Sequence, residues 1–120
     1  MLITSLLENT TKRKDIGVEH GLSLYIETEK HKILFDMGQT DLFYKNSLVL
    51  EKSIEDVEFA VLSHGHYDHG GGLDTFLKVN KSAPVYLNKD AFLPHYNKDK
   101  KYIGLDRSLC DNKRLIYTGD

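Results

Sequence analysis

The chain is short of most things that would place it at once. It has one cysteine, Cys110, so no intrachain disulfide can form, and the thiol usage fits a reducing compartment. It has two prolines, Pro84 and Pro94, so the first eighty residues carry no proline punctuation. Its longest apolar runs, such as Phe59–Leu62, are far too short to cross a membrane as a helix. The N-terminal stretch has no basic region ahead of its apolar residues and no small-residue cleavage site, so it does not read as a signal peptide. A cytoplasmic protein is expected. The formal charge is only -2, from 16 basic and 18 acidic side chains, and bulk charge gives no support to a nucleic-acid role. The basic stretch Lys98–Lys101 is interrupted by Asp99 and reads as a solvated loop. With 40% hydrophobic and 28% charged residues over 120 positions, the composition is that of one small globular domain, residues 1–120. No repeat or linker divides it.

Strand and helix patterns alternate along the chain. Leu2–Leu7 is β-compatible. Leu22–Thr28 alternates apolar and polar residues, His31–Asp36 is a second strand, and Thr28–Lys30 is short enough for a hairpin loop. Residues 41–50 predict a helix capped by Thr40 or Asp41, with Leu42, Phe43 and Leu48 on its buried side. Val57–Leu62 reads as a buried strand and residues 73–81 as a helix carrying Leu73, Phe76, Leu77 and Val79. Pro84–Leu87 is a short strand, Lys89–Leu93 a short helix ended by Pro94, and Arg114–Tyr117 a last strand. A hairpin followed by alternating strands and helices predicts an α/β fold with a mixed sheet. The chain stops on a turn straight after that last strand, which is the form of a cut chain.

The six histidines are not spread evenly: His64, His66 and His69 fall within Ser63-His64-Gly65-His66-Tyr67-Asp68-His69-Gly70-Gly71-Gly72. This segment follows a buried strand and precedes a helix, at the strand end where open α/β sheets place ligands. Residues two apart in extended chain point the same way, so His64 and His66 can aim at one point, with Gly65 leaving the backbone between them uncrowded. Asp68 and His69 fall where the chain turns into the helix and can face a second point nearby. Imidazoles and a carboxylate are donors that Zn, Fe and Mn accept. At this composition the pattern arises by chance in roughly one such chain in a thousand. A lone loop histidine such as His31 or His95 is, by contrast, an ordinary polar residue. Cys110 has no activating base among its sequence neighbours and reads as an incidental thiol.

His64-Gly65-His66-Tyr67-Asp68-His69-Gly70-Gly71 resembles the His-x-His-x-Asp-His signature of the metallo-β-lactamase superfamily, and Phe35-Asp36-Met37-Gly38 resembles that family's earlier strand-end aspartate. The wider pattern, with Glu8-Asn9 and Glu19-His20-Gly21-Leu22-Ser23, resembles the dihydropterin ribofuranosylaminobenzene-phosphate synthase-like branch. The resemblance implies an αββα sandwich, of which this chain covers about the first βα half. It implies a hydrolase holding two divalent ions, zinc foremost with iron or manganese as alternatives, and acting on a small-molecule substrate. His64 and His66 would hold the first ion, and Asp68 and His69 the second. A hydroxide bridging the ions would be the nucleophile, Asp68 could take or relay a proton, and Asp36 would orient a ligand histidine. His20 would line the pocket or be a plain loop histidine.

A catalytic zinc usually has three protein ligands, and the motif offers two per ion. The family's later histidine, bridging aspartate and final histidine have no counterpart here. His95 follows a short helix rather than a strand and is not assigned as a ligand. The sheet is expected to keep one face uncovered, which invites pairing with a second copy. Three readings stand side by side: the N-terminal part of a metal-dependent hydrolase, a non-catalytic metal-binding module completed across a homodimer, and an inactive fragment.

Overall fold

The computed structural model describes residues 1–119. Six strands form one sheet in sequence order: β1 (Leu2–Leu7), β2 (Ser23–Glu27), β3 (Lys32–Phe35), β4 (Phe59–Val61), β5 (Val85–Asn88) and β6 (Leu115–Thr118). β1, β2 and β3 pair antiparallel, and β3 through β6 pair parallel. The α/β class and the mixed sheet agree with the sequence reading. Helix α1 (Leu42–Val49) joins β3 to β4, and α2 (Tyr67–Gly70) with α3 (Leu73–Val79) joins β4 to β5. A 3₁₀ turn at Arg107–Leu109, which the sequence pattern did not reveal, precedes β6.

Strand order fixes where the core lies. Parallel crossovers are right-handed, so strands laid down in sequence order receive all their connections on one face. Thr4, Tyr25, Leu34, Ala60, Val85 and Leu115 stand opposite one another across the sheet, and from Tyr25 onward every one is buried. Phe43 of α1 and Leu73 and Phe76 of α3 pack on this row in a single apolar cluster. A register shift between Ser5 and Leu7 lets both Leu6 and Leu7 enter the core, which strict alternation would forbid. Asn80, at the end of α3, is buried and holds the α1–β4 connection: its amide donates to Ile54 O (3.0 Å) and Val57 O (2.9 Å). Its Oδ1 accepts from Ala83 N at 2.8 Å.

The opposite face carries two other rows, Ile3–Ile26–Ile33–Phe59 and Leu24–Phe35–Val61–Tyr86–Ile116. It is mostly apolar, with Ser5 opposite Leu24 and the Asn88–Thr118 pair at its end, and it is only partly shielded, with Ile3, Tyr86 and Ile116 exposed.

Two local expectations need correction. Leu48 is not on the buried side of α1 but 60% exposed, and the helix instead buries Phe43, Asn46 and Ser47. Asn46 earns its place by donating to Leu6 O and Gly17 O. Lys89–Leu93 is a pair of turns, not a helix. Asn88 Oδ1 accepts from Asp90 N, Asn88 O from Ala91 N and Asp90 O from Leu93 N, and Pro94 then bars continuation. The N-terminus of α1 follows Asp41, which makes no side-chain cap; Thr40 Oγ1 accepts from Leu42 N instead.

Candidate metal centre

The histidine segment starts where β4 ends, and its course is set by backbone bonds to both neighbours. Asp36 N donates to Val61 O and Leu62 N to Tyr86 O, carrying the parallel pairing one step past the strands. His66 is extended at the N-terminus of α2, and the chain turns there so that Asp68 and His69 fold back toward His64. Ligand atoms of His64, Asp68 and His69 all lie within 4.8 Å of one another. The His66 ring stands beside this trio, its centroid 4.8 Å from that of His64 at an angle of 83°. His64, Asp68 and His69 thus form one compact trio, with His66 alongside.

Asp36 organises the trio from beneath. It continues β3 onto the core side, is fully buried, and has a φ of 61°, a left-handed conformation that aspartate tolerates better than most residues. Its Oδ1 accepts from Ser63 N at 2.7 Å. Its Oδ2 accepts from Ser63 Oγ at 2.6 Å and meets His69 Nδ1 at 2.7 Å. A carboxylate can only accept, so His69 carries its proton on Nδ1 and presents an Nε2 lone pair. Ser63 has spent its only hydroxyl proton on Asp36, so at 2.9 Å it accepts from His64 Nδ1 and leaves the His64 Nε2 lone pair free. One buried carboxylate therefore sets the tautomer of two imidazoles, one directly and one through serine. Burial, together with the neighbouring His69 and His66, pushes the His64 pKa below its ordinary 6.5, which keeps a lone pair available at neutral pH.

A loop ahead of β2 closes the other side. Glu19 accepts from Gln39 N and Thr40 N, fastening this loop over the end of β3. Gly21 lies so close to Asp68 O that a Cβ there would sit 2.3 Å from it. His20 then places Nε2 3.0 Å from Asp68 Oδ2, with Asn9 Nδ2 3.2 Å from its Nδ1. His20, which the sequence alone leaves between a pocket wall and a plain loop, stands against Asp68.

Beyond His64 lies an open cavity of about 300 Å³, lined by Ser63, His64, Gly65, Asn88, Asp90, Ala91 and His95. Gly65 is the reason the far wall comes so close: a Cβ there would sit 2.0 Å from Ala91 O.

The donor set passes the chemical test for a borderline transition metal. It offers imidazole and carboxylate, with lone pairs left free because the buried Asp36 engages His69 Nδ1 and Ser63 engages His64 Nδ1. Fold and donor set together define a class: an α/β protein with a candidate metal site, His64, Asp68 and His69, following the end of its parallel strand β4.

Comparison narrows the class. The sequence model of the metallo-beta-lactamase superfamily matches residues 16–120. The chain belongs to that superfamily. Uncharacterized protein MJ0448 of Methanocaldococcus jannaschii is 38% identical over 109 residues, covering 90% of this chain and 42% of its own. A 7,8-dihydropterin-6-methyl-4-(beta-D-ribofuranosyl)-aminobenzene-5'-phosphate synthase of the same organism is 35% identical over 80 residues, covering 62% of this chain and 27% of its own. Among solved structures, Tm1679, described as a metal-dependent hydrolase of the beta-lactamase superfamily, superposes with a TM-score of 0.76 at 30% identity, over 98% of this chain and 42% of that one. The subclass B3 metallo-beta-lactamase MEM-A1 shares the fold, with a TM-score of 0.63 at 18% identity over 88% of this chain and 42% of its own. The chain thus spans less than half the length of the relatives it matches.

Proposed function

We propose that this chain is the metal-binding half of a metal-dependent hydrolase acting on a small-molecule substrate. The observation that carries the reading is the trio His64, Asp68 and His69, with ligand atoms within 4.8 Å and two of its three members fixed by Asp36. His64 and His66 hold one divalent ion, and Asp68 and His69 hold the second, with zinc favoured and iron or manganese compatible with the same donors. When bound, the ions supply a water acidic enough to attack at neutral pH and a positive charge to stabilise the developing oxyanion. The chain's own part is to hold the imidazoles in the metal-binding tautomer and to keep Asp68 beside the reacting water as a proton acceptor. His20, 3.0 Å from Asp68, orients that carboxylate. The cavity beside His64 is of a size for a metabolite rather than a polymer. The pterin-linked branch is supported by the 35% identity to the synthase over 80 residues.

The test is hydrolysis of a panel of phosphodiester, thioester and lactone substrates by the zinc-loaded chain, with Asp68→Ala as the control. Turnover that disappears in the variant supports the reading. Turnover equal in both, or none in a chain that holds both ions, overturns the hydrolase assignment.

A second reading concerns the outer sheet face. Its apolar rows, from Ile3 to Phe59 and from Leu24 to Ile116, call for a cover. In the isolated 120-residue chain we propose that a second copy supplies it, sheet against sheet.

A further inference from the structure

We propose that Asp90 is a specificity-determining residue, selecting a small molecule that carries a cationic nitrogen group such as an ammonium. This rests on the hydrolase reading above and names a substrate class for it.

The cavity beyond His64 has one charged side chain on its wall. Asp90 is the only Asp, Glu, Lys or Arg among the lining residues. The other polar groups nearest it are engaged within the protein. Ser63 Oγ donates to Asp36, His64 Nδ1 faces Ser63 Oγ, and Asn88 Oδ1 accepts from Asp90 N at 2.8 Å. The ion pairs of the described residues all leave Asp90 out. Its sequence neighbour Lys89 does not line the cavity. A carboxylate only accepts hydrogen bonds, so this wall asks for a donor and favours one with positive charge.

Asp90 stands on a turn that is fastened on both sides. Lys89 N donates to Thr118 O at 2.8 Å, which extends the pairing of β5 with β6. Ala91 N donates to Asn88 O at 3.0 Å, and Leu93 N donates to Asp90 O at 3.1 Å. With the Asn88 side chain holding Asp90 N as well, the backbone that carries the carboxylate is fixed before any ligand arrives.

The same turn is brought close to the metal loop. A Cβ at Gly65 would lie 2.0 Å from Ala91 O, so only glycine lets the two segments meet. The far end is closed by His95, tied to the loop through Ile103: Ile103 N donates to His95 O, and Tyr67 N donates to Ile103 O. Asp90 and His64 therefore face one space. A molecule seated there has its reacting group on the His64 side and a second group on the Asp90 side. A carboxylate or phosphate in that second place would meet like charge, whereas an ammonium would be paired.

The experiment uses thiols that anchor at the metal and differ only in the charge of their tails. The 120-residue chain is loaded with cobalt(II). It is then titrated with cysteamine, 2-mercaptoethanol and 3-mercaptopropionate, following the thiolate-to-cobalt absorption. The quantity read is the ratio of cysteamine to 3-mercaptopropionate affinity, compared between the parent, Asp90→Asn, Asp90→Lys and Asp74→Asn. Differences in intrinsic thiol acidity cancel in that comparison. Asp74→Asn removes the same charge from helix α3, away from the cavity lining. Circular dichroism checks the fold of each variant. The expected result is a ratio lowered about five-fold in Asp90→Asn, lowered further in Asp90→Lys, and unchanged in Asp74→Asn. The effect should shrink as salt is raised. A cobalt-loaded chain in which folded Asp90 variants keep or raise the parent ratio, or in which no thiol binds, overturns this inference alone. A parent that takes up no cobalt overturns the metal-site reading and this inference with it.

Discussion

Replacing Asp36 by asparagine is the sharpest perturbation of the centre. Asparagine matches aspartate in shape and tolerates the φ of 61°, so the backbone has no reason to move. The hydrogen-bond signs do change. If the amide oxygen keeps the bond from Ser63 N, the amide nitrogen takes the place of Oδ2, 2.6 Å from Ser63 Oγ and 2.7 Å from His69 Nδ1. An amide nitrogen donates, so His69 must accept at Nδ1 and move its proton to Nε2, the nitrogen needed by the ion. Ser63 becomes an acceptor toward the amide, and its freed hydroxyl proton turns toward His64 Nδ1, driving that ring to the wrong tautomer as well. Partners that orient a metal-bound histidine are typically worth 10- to 100-fold in affinity, which is about 1.4–2.7 kcal/mol at 1.36 kcal/mol per decade. With two imidazoles affected, a loss near the upper figure is expected, about 100-fold in zinc affinity by chelator competition. The uncharged variant should keep its metal-free fold. Zinc affinity in Asp36→Asn equal to that of the parent would refute the tautomer argument.

Other outcomes follow from the same structure. Gly65→Ala, whose Cβ would meet Ala91 O at 2.0 Å, should destabilise the chain by about 1–3 kcal/mol in urea unfolding and lower zinc affinity, because the two cavity walls must separate. Asn80→Ala removes the amide's contacts to Ile54 O, Glu55 O and Val57 O and the bonds its Oδ1 accepts from Ser82 N, Ala83 N and Arg114, and should cost about 2–4 kcal/mol without altering zinc binding in the folded protein. In the metal-free chain the folded state holds His64 below its unfolded 6.5, so its share of stability is present above that pH and is lost as pH falls through the lowered value. Denaturation curves between pH 7.5 and 5 should show that slope, and His64→Gln should flatten it. Phe59→Lys, in the middle of the outer face, should convert a dimer of the isolated chain to monomer in light scattering; a parent already monomeric would contradict pairing with a second copy.

Much of the fold was legible because binary pattern and strand order say the same thing. Leu22–Thr28 and Val57–Leu62 point to strands by alternation and by continuous burial, and β2 and β4 lie inside them. The histidine segment was legible because its donors are sequence neighbours. What was not legible depends on contacts between distant segments. Asp36 was read as one orienting carboxylate, but its second route to His64 runs through Ser63, an undistinguished residue until the loop closes. His95 reaches His66 through Ile103 and Tyr67, a chain of backbone bonds that no spacing rule encodes. Residues 89–93 carry a fair helical composition, yet Asn88 diverts them into turns by bonding to its own backbone two residues on. Leu48 was placed inward by helical period, whereas the polar Asn46 takes the buried position because Leu6 O and Gly17 O need its amide.

The central claim is that His64, His66, Asp68 and His69 hold transition metal. Elemental analysis of the purified 120-residue chain, loaded with zinc and desalted without chelator, tests it most directly, with a His66→Ala/Asp68→Ala double variant prepared in parallel. The account predicts close to two zinc ions per parent chain and a loss of most of that metal in the folded double variant. Parent and variant carrying the same trace of metal would contradict it.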